Sequence, residues 1–181
     1  EAREPELPGI PVALAKGGTV RITVFGATGL VGGPVAETLA GSEHAVRVVS
    51  RDAGRALRRF GPASDVVEAD ADTGWGLDAA VDGCQGVFLS IASPREGACV
   101  GKVLEAACRV GGVERVVYVS GCTVREENSW FPLAAGKLEA ERRLRESGLA
   151  WTVLAPGWFF ETLANFVQGG RATVIGNDPT P

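Results

Sequence analysis

The sequence predicts an α/β chain: a doubly wound parallel sheet with helices on both faces, in three α/β/α layers. Three observations carry this expectation. Apolar strand patterns alternate with helical ones, the connections between them are short, and the first strand runs directly into a glycine-spaced turn and a helix.

The first strand is read at Val20 to Phe25, as a buried parallel strand. Gly26, Gly29 and Gly32 follow it. The first glycine is placed to turn the chain sharply, the second to admit a pyrophosphate without a Cβ, and the third to let the helix pack on the strand. That helix is read over Leu30 to Ala40, with Leu30, Val31, Val35 and Leu39 at helical spacing, and a second strand over Ala45 to Val49 completes a βαβ unit. In a chain with 25 glycines the triplet alone says little, so the strand before it and the helix after it are what give it meaning. In that setting the segment Gly26, Ala27, Thr28, Gly29, Leu30, Val31, Gly32 is a dinucleotide fingerprint, its free N–H groups and helix dipole facing a diphosphate.

Arg55 and Arg58 fall on a helix after strand two, and the third strand is Val66 to Ala69. A short helix near Leu77 to Val81 leads through Gly83 to strand four, Gly86 to Ile91. A longer helix from Glu96 to Val110 leads to strand five, Arg115 to Ser120. A charged amphipathic helix follows, with Leu133, Leu138 and Leu144 on one side, and Ser147-Gly148 ends it as a C′ glycine would. Trp151 to Leu154 is the sixth strand, and Ala172 to Ile175 is strand-like. The domain is taken as 19–181, a Rossmann fold that lacks most of a smaller C-terminal lobe. Glu1 to Gly18, with Pro5, Pro8 and Pro11, is read as an extended arm outside the fold.

Composition narrows the function classes. The 181 residues suffice for one substantial core, and 45% of them are hydrophobic. A net charge of −4 and the absence of a basic run give no electrostatic reason to expect nucleic acid or an anionic membrane as partner. The expected partner is a small molecule; a homo-oligomer is compatible with the sequence. No apolar run has the length of a membrane span and no signal-peptide pattern opens the chain, so a cytoplasmic protein is expected. Cys84, Cys99, Cys108 and Cys122 lack CxxC pairing and His44 is the one histidine, so no metal site is drawn. Cys99 and Cys108 are read as small core residues of a helix, and Cys122, just past a strand end, as a candidate lining residue.

Ligands of such sheets bind beyond the strand C-termini. This rule selects Gly26 to Gly32 after strand one, Ser50 and Arg51 after two, Asp70 and Ala71 after three, and Ala92 and Ser93 after four. After strand five it selects Ser120 to Thr123, and after six Pro156 and Trp158. Strand two ends on Ser50-Arg51 and not on the carboxylate that accepts ribose hydroxyls in NAD-preferring folds. A guanidinium pairs bidentately with a 2′-phosphate, so NADP(H) is expected over NAD(H). Two alternatives stand beside this: Arg51 as a solvated loop residue, or paired with the adjacent Asp52.

Five segments, in order, then resemble one family: Val24-Phe25-Gly26-Ala27-Thr28-Gly29-Leu30-Val31-Gly32, Val48-Val49-Ser50-Arg51-Asp52, Ala69-Asp70-Ala71-Asp72, Val116-Val117-Tyr118-Val119-Ser120, and the run from Ser147 to Phe160. The chain is similar to the NmrA-like, atypical short-chain dehydrogenase/reductases from Val20 to Val174. That resemblance implies an NADP(H)-binding fold and an NAD(P)H-dependent oxidoreductase acting on quinones, dyes, enones or natural-product intermediates. It equally implies relatives that sense the cofactor's redox state and regulate a partner, and a non-redox cyclase or isomerase is a further alternative.

Ordinary members use Tyr-x-x-x-Lys on the helix after strand five; here the stretch is Leu133-Ala134-Ala135-Gly136-Lys137, with leucine in the tyrosine's place. Lys137 is carried over as the ribose or nicotinamide contact, against a plain solvated lysine or a Lys137–Glu141 helix pair. Ser120 is a candidate hydrogen-bond donor to a substrate carbonyl, or a cap of its turn. Tyr118, inside an apolar strand, is read as a packed ring with a satisfied hydroxyl. Trp130, Phe131, Trp158, Phe159 and Phe160 are the aromatic candidates for a flat apolar conjugated substrate, with core packing as the other reading of Phe159 and Phe160. Ala155 stands where the family often has arginine, and Thr162 where asparagine is frequent.

Overall fold

The computed structural model describes residues 19–157, 159, 161, 167–168 and 171–172. Six strands form one parallel sheet: β1 (Arg21–Phe25), β2 (Ala45–Ser50), β3 (Asp65–Glu68), β4 (Gly86–Leu89), β5 (Arg115–Val119) and β6 (Ala150–Leu154), in the order β3-β2-β1-β4-β5-β6. The order reverses between β1 and β4, which opens a crevice at their C-terminal ends. The five helices are α1 (Gly32–Ala40), α2 (Ala53–Phe60), α3 (Leu77–Val81), α4 (Glu96–Val110) and α5 (Pro132–Glu146), with a 3-10 turn at Glu126–Asn128. Two further short strands, β7 (Val167–Gln168) and β8 (Arg171–Ala172), pair antiparallel.

Successive strand residues face opposite layers, as the pleat demands. Val24, Val48 and Phe88 pack with Ala36 of α1 and Ala56 of α2 on one face, while Phe25, Val49 and Leu89 pack with α3, α4 and α5 on the other. Registers such as Val24↔Val48 and Val24↔Phe88 align these rows across the sheet. The three-layer prediction therefore holds.

Element ends depart from the sequence reading for local reasons. Helix α1 begins at Gly32, not Leu30, because Gly29 N–H closes a turn on the Gly26 carbonyl at 2.9 Å, and Leu30 is left 54% exposed. Strand β4 stops at Leu89, before Ser90, whose carbonyl crowds Gly26. The face that α5 buries consists of Ala134, Ala140, Glu141 and Leu144; Leu133 is exposed, not core. Small residues line this face because α4 lies close: a Cβ on Gly97 would sit 2.7 Å from Glu139 Cβ, and one on Gly101 2.7 Å from an Arg143 nitrogen. Cys99 is buried as expected, but Cys108 is exposed, its Sγ 3.5 Å from the Ser147 carbonyl. Of the strand-like Ala172 to Ile175 only Ala172 is described, within β8; the arm 1–18, Trp158, Phe160 and Thr162 also lie outside the described residues.

Candidate functional site: a cleft along the sheet's C-terminal edge

The glycine turn is shaped by its neighbours. Gly26 has φ +75°, a left-handed conformation that disfavours any Cβ, and a Cβ there would collide with the Ser90 carbonyl. A Cβ on Gly32 would lie 2.7 Å from the Gly26 carbonyl carbon and 3.1 Å from Ala27 N, so only glycine lets α1 start this near β1. Helix α1 has no side-chain N-cap and no acidic residue in its first turn. Among the described residues no backbone hydrogen bond engages the N–H groups of Leu30, Val31 and Gly32. An uncapped helix start with free N–H groups, beside a turn without side chains, is a cradle for an anionic diphosphate.

The turn opens onto a cleft of about 360 Å³. Nine of the site residues expected from sequence line it: Gly26, Thr28, Gly29, Ser50, Arg51, Asp70, Ala71, Ala92 and Ser93. Ala27 is instead fully buried in the core below, and Leu30 points to solvent. Asp72, Ser90, Ile91, Pro94 and Cys99 also line the cleft and were not singled out as site residues. For Asp72 a signal existed, since it sits two residues past Asp70 in the same strand-end segment; the others follow only from the path of the β4–α4 loop.

Polar partners define the cleft's charge. Ser50 Oγ donates to the Asp52 carbonyl at 2.9 Å and accepts from Asp52 N–H at 3.1 Å, so the serine is occupied in shaping the loop. The Asp52 carboxylate caps α2 by accepting the Arg55 N–H at 2.8 Å. It is not paired with Arg51, which is exposed and makes no ion pair among the described residues. Across the cleft Arg95 pairs with Asp72, and this hydrogen bond holds the Asp72 carboxyl below the usual carboxylate range. Cys99 also reaches Asp72, at 3.6 Å, and burial pushes its thiol up.

Past the crevice, at the ends of β5 and β6, lies the second set of candidates. Lys137 Nζ donates to Glu96 Oε1 at 2.8 Å and to the Val119 carbonyl at 3.0 Å, and stands 5.3 Å from the Tyr118 ring centre. The Lys137–Glu141 pair read from sequence is replaced by this one, while Glu141 receives Arg145 at 2.7 Å. The Tyr118 hydroxyl donates to the same Glu96 oxygen at 2.7 Å, and burial first, then the Glu96 carboxylate, push its phenol far up. The ring is fully buried with a satisfied hydroxyl. Ser120 Oγ donates to buried Glu141 Oε1 at 2.6 Å, so its proton is engaged on the protein and does not cap its turn. Reasoning from sequence did not single out Glu96 and paired Glu141 with Lys137 instead of Ser120, because the true partners lie 21 to 41 residues away.

Around this set, Cys122 is exposed and its N–H donates to the Pro156 carbonyl at 2.9 Å, tying the β5 and β6 ends together. Trp130 is 79% exposed, with its ring centre 5.9 Å from that of Phe131, and Phe159 is half-buried. Among the described residues no cluster of ligating side chains could hold a metal ion, and no helix is long and apolar enough to cross a membrane.

Comparison with known proteins agrees with this geometry. The chain matches the NAD(P)H-binding family over residues 26–179. It is 32% identical over 154 residues to a (4-alkanoyl-5-oxo-2,5-dihydrofuran-3-yl)methyl phosphate reductase of Streptomyces griseus, covering 85% of this chain and 53% of the relative. It is also 32% identical over 177 residues to an NmrA-like family domain-containing oxidoreductase of Aspergillus flavus, covering 87% and 52% of the two chains. Among solved structures, an NADPH-dependent quinone oxidoreductase of Escherichia coli, complexed with NADPH, superposes with TM-score 0.68 at 27% identity, over 81% of this chain and 52% of that one. The chain thus spans about half the length of the relatives it matches. With a reversing parallel sheet, a glycine cradle and matches over most of its length, the chain belongs to the NAD(P)H-binding, NmrA-like branch of the atypical short-chain dehydrogenase/reductases.

Proposed function

We propose that the protein is an NADPH-dependent oxidoreductase that reduces a conjugated small molecule such as a quinone, an enone or a polyketide-like intermediate. The observation that carries the cofactor half of this reading is Arg51, an exposed cation with no ion pair among the described residues, on the rim of the cleft just past β2. In this reading the cradle of Gly26, Gly29 and Gly32 takes the diphosphate, Arg51 a 2′-phosphate, and Asp70 and Ala71 border the adenosine end. Bound there, NADPH supplies a hydride. The protein's part is to place an acceptor over the bound cofactor and to exclude other reactions. Lys137, at the end of β5, offers a fixed positive charge on that side. Trp130, Phe131, Cys122 and Phe159 are the candidate contacts for a flat apolar substrate, and Pro156 and Trp158 border the cofactor in the same reading.

The substrate half rests on which protons are free. Tyr118 and Ser120 both donate into buried carboxylates, and Leu133 stands in the tyrosine's place. A simple ketone needs a proton at its oxygen in step with hydride arrival, whereas a conjugated acceptor spreads the charge and takes its proton from water. The Streptomyces relative is named for reduction of an oxo-dihydrofuran, and a relative from Xenophilus azovorans, 26% identical, is named an NAD(P)H azoreductase. The same commitment of the Tyr118 and Ser120 hydroxyls to buried carboxylates favours a second reading, a protein that binds NADP(H) without turnover and reports its redox state to a partner.

One experiment separates them. The full-length protein is titrated with NADPH and NADH by calorimetry, then mixed with NADPH and a panel of quinones and enones while absorbance of the reduced nicotinamide is followed. Binding with acceptor-dependent loss of absorbance supports the reductase. Binding with no loss for any acceptor supports the sensor, and absence of binding refutes both.

A further inference from the structure

The buried carboxylate of Glu96 is the one strongly charged group near the cleft whose purpose the fold alone does not explain. It opens α4, is 1% exposed, and receives both Tyr118 and Lys137 on a single oxygen. Its other oxygen, Oε2, is buried with no hydrogen-bond partner. A carboxylate kept merely to join two helices would be expected to share its donors between both oxygens, since an unpaired buried acceptor is costly. Here both donors meet at Oε1, so the group is oriented to fix one point in space: the ammonium of Lys137.

That ammonium is held on three sides, by Glu96 Oε1 at 2.8 Å, by the Val119 carbonyl at 3.0 Å and by the Tyr118 ring at 5.3 Å. A lysine chain carries four rotatable bonds, and left free it would sample many positions. Two of its three N–H groups are used, so one is uncommitted among the described residues. The start of α4 is also where a helix favours negative charge, a position suited to a carboxylate that faces Lys137.

We propose that Glu96, with Tyr118 beneath it, is the positioning residue that aims the third N–H of Lys137 at the nicotinamide half of the bound dinucleotide. The missing Tyr-x-x-x-Lys tyrosine is in this sense replaced by a phenol on β5 that steadies the lysine from below and never meets substrate. The inference rests on the cofactor reading above. Because the adenosine end lies over β2 and β3 in that reading, Glu96 acts on one half of the ligand only.

The test is a double-mutant cycle in the full-length protein with Glu96→Gln, Lys137→Met and the double variant. Binding of NADPH and of 2′,5′-ADP, a probe of the adenosine half, is measured by calorimetry. Glu96→Gln is expected to weaken NADPH more than about fivefold, to leave 2′,5′-ADP within about twofold, and to add nothing once Lys137 is methionine. Equal weakening of both probes, an unchanged NADPH affinity, or a Glu96 effect that persists without Lys137 overturns the proposal. Should Glu96→Gln fail to fold, Glu96→Asp carries the same cycle: it keeps the charge but withdraws the carboxylate by one methylene. A wild-type protein that binds neither probe refutes the cofactor reading and this one with it. Wild-type binding of both probes with an indifferent Glu96 variant refutes this one alone.

Discussion

Replacing Arg51 by alanine separates cofactor choice from folding, because the guanidinium has nothing to hold in the free protein. It is exposed, lines the cleft, and makes no ion pair among the described residues, so its loss should change stability by no more than about 0.5 kcal/mol. Its worth to a 2′-phosphate is bounded from two directions. A hydrogen bond to a charged group contributes about 1.5 to 3 kcal/mol, and a unit charge 4 Å from a dianion in a water-like medium gains about 2 kcal/mol. Exposure places the value at the lower end, near 1.5 to 2 kcal/mol, which is roughly a 10- to 30-fold loss of NADPH affinity. NADH, without that phosphate, should stay within about twofold. Arg51→Glu should go further and invert the preference, and rising salt should narrow the wild-type gap between the two cofactors. Calorimetry with both nucleotides and a melting curve for each variant are sufficient. Equal losses for NADPH and NADH would show that Arg51 shapes the cleft without reading the phosphate, and no loss for either would remove it from the site.

Gly32→Ala should cost about 1 to 3 kcal/mol in urea unfolding, since the new methyl meets the Gly26 carbonyl and Ala27 N, and should weaken NADPH by displacing the cradle. Of the four cysteines in this chain, Cys108 and Cys122 should react quickly with a thiol reagent at neutral pH, while Cys84 and Cys99 wait for unfolding; fast reaction of Cys99 would contradict a thiol pushed up by burial. The Asp72 carboxyl, held down chiefly by Arg95, should titrate below the ordinary 3.8 when followed by carbon NMR. The link across the cleft is therefore complete above that value and lost only as pH falls through the lower folded one, and Arg95→Ala should return Asp72 toward 3.8.

What could be read from sequence follows the range of the interactions involved. The sheet, its parallel sense and the glycine cradle are written in local pattern: strand, turn and helix within one βαβ unit, repeated. The place of Arg51 on the cleft rim was legible for the same reason, as the residue just past the end of β2. The burial of α5 was legible only in part. Leu144 is buried as its leucine face suggested, but Leu133 is exposed, and Gly97 and Gly101 of α4 bring the two helices so close that alanines and an aliphatic stretch of Glu139 also pack there. Cys108 was misplaced by the same reliance on helical position without knowledge of the neighbour. The partners of Lys137 and Ser120 were missed because Glu96 and Glu141 read, in sequence, as ordinary charges on helices, and only tertiary contact makes them buried acceptors.

Those two carboxylates constrain the chemistry more than the absent tyrosine does. Each of them accepts the hydrogen bond of a hydroxyl at the end of β5: Glu96 that of Tyr118, read from sequence as a packed ring, and Glu141 that of Ser120, read as a candidate donor. To release either proton toward a substrate, the protein would have to break a hydrogen bond to a buried carboxylate, which costs more than a neutral hydrogen bond returns. The Glu141 side is further locked by Arg145, and the Glu96 side by Lys137. What remains at the end of β5, among the described residues, is a positive charge with an uncommitted N–H, a group suited to holding a ribose hydroxyl or steadying developing negative charge, near the exposed thiol of Cys122. A site of that kind stabilises charge better than it delivers protons. In the proposed reading an acceptor that delocalises its own charge suits this site, and a plain ketone is expected to be a poor substrate even where the cofactor binds well.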